Sequence, residues 1–313
     1  MSPSPKSAAE AVSRTGSTGR RRPMAQLNAM MACDTAFRVV ARRHLADLTA
    51  NHEATCSGDP AALHQMRIAL TRLRTAILFF APMIDDPMRM QIKDELKWLN
   101  GQLGAVRDLD VAMERLKAIN KQRPRPAPYY RTWNEKRADS HRQLARALQS
   151  ARYRRLIENT SGWIESGPWS IKTGRQAALE RASPIATFGV GKLMTWQDKL
   201  LKRSRKLEKM GNKKRHRLRL LNKKLTYSIE FFEDLLADKR FSKQQTALKH
   251  LRKAQRSLGQ LNDDVQGHSL AAALQQGGVR PPLQFLSPKR ERRLIRTATT
   301  AYRKLAATKA FRS

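Results

Sequence analysis

Acidic side chains are scarce in this chain. Asp and Glu number 26 against 62 Lys and Arg in 313 residues, which gives a formal net charge of +36 and a sequence pI near 11.3. A chain so charged repels itself on compaction, so a polyanionic partner is the natural explanation: nucleic acid, polyphosphate or an anionic membrane surface. Solubility alone rarely needs so much charge of one sign. Aromatic residues make up only 6% and none interleaves with the basic stretches, which counts against a surface that stacks bases. The two cysteines, Cys33 and Cys56, supply neither a disulfide framework nor a metal-ligand spacing, and unbonded thiols suit a reducing compartment. No apolar run approaches the roughly 18 residues of a membrane span. The first residues lack the apolar core of a secretory signal, so the cytoplasm is the expected location.

Catalytic signatures are missing too. The seven histidines show no His-Glu-x-x-His spacing, and no Walker-type glycine loop occurs. Asp85-Asp86, Glu233-Asp234 and Asp263-Asp264 read as caps or helix-end residues, whereas phosphoryl transfer on a polyanion normally needs carboxylates that hold metal. A phosphorylated histidine is a minor alternative, with no base or orienting partner beside it in the sequence. The expectation is a protein that is not an enzyme and carries no cofactor or metal.

What the chain does contain is a repeated helical pattern. His64-Gln65-Met66-Arg67-Ile68-Ala69-Leu70-Thr71-Arg72-Leu73-Arg74 returns, altered, as His216-Arg217-Leu218-Arg219-Leu220-Leu221-Asn222-Lys223-Lys224-Leu225-Thr226. At 3.6 residues per turn, His64, Arg67, Thr71 and Arg74 share one narrow arc, as do His216, Arg219, Lys223 and Thr226. Beside the first arc runs an apolar stripe of Leu63, Met66, Leu70, Leu73, Ile77 and Phe80. Leu218, Leu221, Leu225, Ile229 and Phe232 lie beside the second. The stripes face the core, so the cations border it and do not sit on the far solvent face. Downstream, Leu103-Gly104-Ala105-Val106-Arg107-Asp108 is matched by Leu258-Gly259-Gln260-Leu261-Asn262-Asp263, with Gly104 40 residues past His64 and Gly259 43 past His216. An internal repeat of this kind implies two similar helical halves.

The rest of the chain reads as follows. Residues 1–23, rich in Ser, Pro, Gly and Arg, form a disordered basic tail. Helical spacing runs from Met24 to about Asn51, with Leu27, Met31, Phe37, Val40, Ala41, Leu45 and Leu48 inward. Asp59-Pro60 and Asp86-Pro87 start two helices, the first reaching about Ala81. Gly104 marks a bend, after which a helix capped by Asp108 continues to about Asn120. Gly259 and Asp263 mirror it, the glycines letting backbones approach or bend. An alternative for Asp108 is orienting an arginine of the basic arc, and for Asp110 and Asp264 an ion pair. Arg123 through Pro128 is a linker, and helical spacing returns from Tyr129 to about Glu158. Residues 161–190 are irregular and join the halves, with a short helix around Gln176–Arg181. From Lys192 to Lys224 there are fourteen Lys and Arg against Asp198 and Glu208. Gly211 breaks this stretch and the His216 helix runs on to about Ala237. Ser242 caps another helix, 277–282 form a loop, and Ser287-Pro288 starts a last basic helix to about Ala310. Strand signals are nearly absent, so the fold class is all-α with two helical bundles packed into one unit.

Together these motifs resemble the CHAD family, the conserved histidine α-helical domain. The matching residues are His64, Arg67, Arg72 and Arg74, then Leu103, Gly104, Arg107, Asp108, Asp110 and Val111. His216, Arg219, Lys223 and Lys224, with Leu258, Gly259, Asn262 and Asp263, match the second family motif. The resemblance spans Met24 to Ala310, with halves near 24–160 and 176–310. It implies two pseudo-symmetric four-helix bundles that bind inorganic polyphosphate through a basic surface where the histidine helices meet. Family members are often fused to a CYTH triphosphatase domain, whose Glu-x-Glu-x-Lys is absent here. The chain therefore resembles a stand-alone member, and the triphosphatase activity does not carry over. The expected polyphosphate-binding groups are His64, Arg67, Arg72, Arg74, His216, Arg219, Lys223 and Lys224, with Lys202, Arg203 and Lys206 as weaker candidates. Thr71 and Thr226 replace residues that are usually basic in the family, which weakens the expected binding, although their hydroxyls could donate to phosphate. Storage granules of polyphosphate or polyhydroxyalkanoate are further candidate partners, and nucleic acid or general polyanion binding is the main competing reading.

Overall fold

The computed structural model describes residues 26–122, 127–172, 174–233, 242–274 and 287–311. The expected tail at 1–23, most of the linker after Gln122 and the loop at 277–282 lie outside them. Eleven α-helices occur among the described residues. They are α1 (Cys33–Ala50), α2 (His52–Cys56), α3 (Pro60–Phe79), α4 (Pro87–Gln122), α5 (Ala127–Gln149), α6 (Ala151–Ser166), α7 (Arg175–Ala182), α8 (Ile185–Ser204), α9 (Asn212–Glu230), α10 (Ser242–Leu274) and α11 (Pro288–Thr308). The protein is an all-α helical bundle. In the first part of the chain α1 packs on α3 and α6, and α3 on α4. In the second part α8 packs on α9 and α11, and α10 on α9 and α11. The parts meet where α3 lies against α9 and α4 against α10.

The start signals act as their chemistry dictates. The Asp59 carboxylate accepts the Ala61 amide at 2.8 Å with Pro60 in the first turn of α3. Asp86 accepts the Arg89 amide at 2.7 Å, and also the indole N–H of Trp163 at 3.0 Å and the amide of Trp169 at 3.0 Å. Ser287 accepts the Arg290 amide at 3.3 Å at the head of α11. Gly58, with φ +86°, makes the turn from α2 into α3.

Several boundaries differ from expectation, each for a local reason. The first helix begins at Cys33, not Met24, because Ala29–Cys33 pairs its backbone with the segment that opens α8: Cys33 N–H donates to Ser183 O at 3.0 Å and Ile185 N–H to Met31 O at 2.9 Å. The stretch from Tyr129 to Glu158 is two helices, not one, since the Ser150 hydroxyl accepts the Tyr153 amide and starts α6 afresh. Residues 161–190 are more regular than their glycines suggest. Gly162 sits within α6, and Gly189 within α8, where an added Cβ would stand 3.3 Å from the Phe232 ring. α8 ends at Ser204, before the expected break, and a 3₁₀ turn at Leu207–Lys209 leads to Gly211, the N-cap of α9. α9 itself stops at Glu230, not Ala237.

The apolar stripes form the core as expected. Leu63, Met66, Leu70, Leu73, Ile77 and Phe80 are buried, as are Leu218, Leu225, Ile229 and Phe232, with Leu221 packed against them. An aromatic cluster closes the junction. Phe79, at the end of α3, lies 5.7 Å from Phe232, 6.5 Å from Phe231, 5.8 Å from Phe188 and 5.7 Å from Trp196 by ring centroid. Phe37, Phe80, Trp163 and Trp169 continue it into the first part of the chain.

The Leu-Gly-x-x-x-Asp segments correct the expectation of a bend. Gly104 lies inside the unbroken α4 and Gly259 inside the unbroken α10, and a Cβ built on either meets nothing within 4 Å. These glycines therefore neither bend the helices nor admit a neighbouring backbone, and Asp108 and Asp263 are not caps. Helix propensity alone favours alanine at such positions by roughly 0.5–1 kcal/mol. Gly104→Ala with Gly259→Ala is expected to raise stability by about 1–2 kcal/mol, seen as a melting temperature several degrees higher. An unchanged or lower melting temperature would mean that the missing side chains serve a contact absent from this arrangement.

Candidate functional site

The cations of α3 and α9 gather where these two helices meet, with α4 and α10 flanking them. Arg67, half-buried, donates Nη1 to the Gly104 carbonyl at 3.1 Å and reaches the Asp108 carboxylate at 3.4 Å. Asp108 thus orients an arginine of the basic arc, the alternative role the sequence offered it. Arg72 donates Nη2 to Glu230 Oε2 at 2.9 Å, and its guanidinium stands 5.2 Å from the Tyr227 ring centroid. Glu230 also takes Arg252 of α10, at 2.9 Å. Lys223 Nζ stands 5.4 Å from the same Tyr227 ring.

Electrostatics shows how tightly these groups are assembled. Burial pushes the Lys223 amine down to about 7, and Arg219, Arg67 and Arg72 push the same way against Asp263. Arg67 is lowered by burial and by Arg219 and Arg107, with Asp108 opposing. His64 is lowered by burial first, then by Arg107, Lys223 and Arg67, with Glu114 opposing. His64, Arg67, Arg72, Arg219 and Lys223 therefore form one group, joined by Arg107 from α4. In this state the imidazole of His64 favours its neutral form, and Lys223 is about half charged near neutrality.

The remaining expected residues separate from that group. Arg74 and Lys224 form a second patch with Lys199 of α8, where burial lowers both and Arg74 and Lys199 add to the effect on Lys224. His216 turns to α10, its Nδ1 2.6 Å from Asn262 Oδ1, and lines a depression of about 330 Å³ with Arg215 and Arg217. Lys202, Arg203 and Lys206 are exposed at the end of α8, and Lys202 lines a cavity of about 650 Å³ against Tyr302 and Arg303 of α11. The threonines also depart from expectation. Thr71 Oγ1 donates to the Arg67 carbonyl at 2.8 Å and Thr226 Oγ1 to the Asn222 carbonyl at 2.9 Å, so neither proton is available for phosphate.

Two participants escape a reading of the arcs alone. Arg107 sits in the Leu-Gly segment, and its motif was the available signal. Tyr227 supplies an aromatic ring among the cations, contrary to the expectation that none interleaves. Its ring is buried, and the phenol is pushed up to about 12 by burial first. Asp110 and Asp264 are buried ion-pair partners, not helix starts. Asp110 accepts from Arg137 Nε at 2.6 Å with His141 Nε2 at 3.0 Å, and Asp264 pairs with Arg115 of α4. Among the described residues no group of three His, Cys, Asp or Glu could hold a metal ion, and no helix is long and apolar enough to cross a membrane.

An all-α bundle with a paired-helix cation cluster is the class that fold and site define. Residues 39–272 match the family model of the CHAD domain, and the chain belongs to that family. It is similar to the CHAD domain from the plant Ricinus communis, with 26% identity and a TM-score of 0.68 over 95% of this chain and 96% of that one. It shares its fold with PptA from Streptomyces chartreusis, at 14% identity and a TM-score of 0.58 over 90% and 98% of the two chains. Comparison with curated proteins gives no match.

The lowered Lys223 makes a stability prediction. The folded amine releases its proton near pH 7, while the unfolded one holds it to about 10.5, so this group's contribution to stability rises with pH across that window. Lys223→Met removes the contribution. In the absence of polyanion the variant is expected to melt higher than the wild type at pH 6, with the difference shrinking as pH rises to 9. A difference independent of pH would contradict the assignment.

Proposed function

We propose that this chain binds inorganic polyphosphate without turning it over, holding the chain of phosphates against the cluster between α3 and α9. The observation that carries the reading is the crowding of Arg67, Arg219 and Lys223 around one another, with Lys223 partly discharged by burial and by its neighbours. An extended anion would offset that repulsion. Arginine presents a planar fork of donors to phosphate oxygens, and lysine a point charge. Family membership supports the same ligand class.

In this reading His64, Arg67, Arg219 and Lys223 make the closest contacts. Arg107 extends the cluster along α4, and Arg72 is held back by Glu230. Arg74 and Lys224 with Lys199, and His216 beyond the other end, prolong the track, while Lys202, Arg203 and Lys206 serve longer chains. The domain runs from 24 to 310, its halves near 24–160 and 176–310 acting as two pseudo-symmetric four-helix bundles that each supply one basic helix. Long polyphosphate at a cytoplasmic granule is the natural target of such a track. Nucleic acid is the weaker reading, because the one aromatic ring among these cations in the described residues, Tyr227, is buried and offers no face to a base.

Titration with polyphosphate of defined length tests this. Replacing Arg67, Arg219 and Lys223 by Ala removes three charge-assisted contacts at roughly 1.5–3 kcal/mol each, so affinity is expected to fall at least about a hundredfold. The logarithm of the wild-type affinity should also fall linearly with log salt, as for any polyanion that releases its counterions. Unchanged affinity in the triple variant would remove this site, and equal affinity for DNA per phosphate would make the protein a general polyanion binder.

A further inference from the structure

A second cationic surface lies away from the α3–α9 cluster, along the seam between α10 and the amino-terminal half of α11. A groove of about 860 Å³ there is lined by Lys253 of α10 and by Lys289, Arg290, Arg292, Arg293 and Arg296 of α11. No carboxylate lines it among the described residues. Glu291, the acid nearest in sequence, is turned to Arg215 of α9, while Arg290 acts on the buried Asp264. Arg292, Arg293 and Arg296 are exposed and make no ion pair among the described residues. Positive charge continues down the seam. His250 of α10 is lowered by burial and then by Lys304 of α11 and by Lys249 and Lys253. From Lys289 to Lys304 the track covers about 22 Å at 1.5 Å per residue.

One feature sets this surface apart. The apolar face of α11 is fully used: Leu294, Ile295, Ala298, Ala301, Tyr302 and Leu305 are buried. Core packing therefore fixes which way the arginines point but does not require that they be arginines. Like charges at i, i+3 and i+4 cost a few tenths of a kcal/mol per pair in a helix, and Lys289, Arg292, Arg293 and Arg296 stand at those spacings.

We propose that the α10–α11 seam is a second, independent site for a linear phosphate chain, which makes this protein bivalent for polyphosphate. The ligand class rests on the function proposed above, but the site does not. Lys289, Arg292, Arg293 and Arg296 share one face of α11 along the groove, so their charges follow one another in a line that suits an extended chain of phosphates. No aromatic residue lines the groove to stack single-stranded bases. Bivalency has a consequence that one site lacks. A long anion engaged at both surfaces gains avidity, and one spanning two protein molecules cross-links them.

Calorimetric titration of the full chain with tripolyphosphate, too short to serve two surfaces, tests this. Wild type is expected to bind two equivalents. Arg292→Gln/Arg293→Gln/Arg296→Gln should bind one, with the remaining affinity unchanged within about twofold. Arg219→Gln/Lys223→Met should lose the other equivalent and keep the seam. With long polyphosphate the seam variant should bind at least tenfold more weakly than wild type and should no longer cross-link into light-scattering assemblies. All three seam positions are exposed, so an unchanged melting temperature verifies the fold. Wild-type stoichiometry and affinity in the seam variant would overturn the proposal. So would displacement of tripolyphosphate from the seam by a 20-base-pair DNA duplex at fewer phosphate equivalents than long polyphosphate needs. Loss of all binding in the seam variant, with none lost in the Arg219/Lys223 variant, would sink the α3–α9 reading and leave the seam as the site.

Discussion

Phe79 holds the two basic helices side by side. It stands fifteen residues after His64, and Phe231 fifteen residues after His216, so the repeat places an aromatic residue at the same point of each helix. Phe79 touches both Phe231 and Phe232, and Phe188 and Trp196 of α8 close around it. Each such pair contributes about 0.5–1.5 kcal/mol beyond the burial of its area. The cations nearer the helix starts are carried together, and Lys223 avoids part of the cost of crowding and burial by giving up its proton.

The protein's own carboxylates then divide the labour among those cations. Glu230 takes Arg72 and Arg252 and so ties α3 to α10 through the end of α9. Asp108 and the Gly104 carbonyl steady Arg67 without closing it off. Among the described residues Arg219 and Lys223 have no such close carboxylate, which leaves the strongest unmet demand for an anion on α9. The other acids of the repeat segments serve structure elsewhere. Asp110 ties α4 to α5 through Arg137 and His141, and Asp264 ties α10 to α4 through Arg115. The two copies of the repeat therefore differ in how their acids are paired.

Much of this was legible in the sequence. Helix starts at Asp59-Pro60, Asp86-Pro87 and Ser287-Pro288 could be read because a short polar side chain before proline has few other uses. The apolar stripes could be read because burial imposes the helical period. Glycine misled. Gly104 and Gly259 read as bends, yet α4 and α10 run through them, because packing along a long helix outweighs one unfavourable residue. The pairing of His64 with Arg67, Arg219 and Lys223 followed from the repeat. The separation of Arg74 and Lys224 from that group did not, since it depends on α8 lying beside α9. Nor could the fate of Thr71 and Thr226 be foreseen, because only the backbone shows their hydroxyls committed to the preceding turn.

Burial and crowding hold Lys223 partly neutral, and the phosphate chain we propose as ligand would restore its charge. Binding must then draw a proton from solution to recharge the amine, with His64 able to add to the uptake. Calorimetry of polyphosphate binding near pH 7, in two buffers of different ionisation enthalpy, measures that proton directly. An uptake of about half a proton or more per bound chain is expected, sharply reduced in Lys223→Met. Binding at full affinity with no proton taken up, or with the same uptake in the variant, would contradict it.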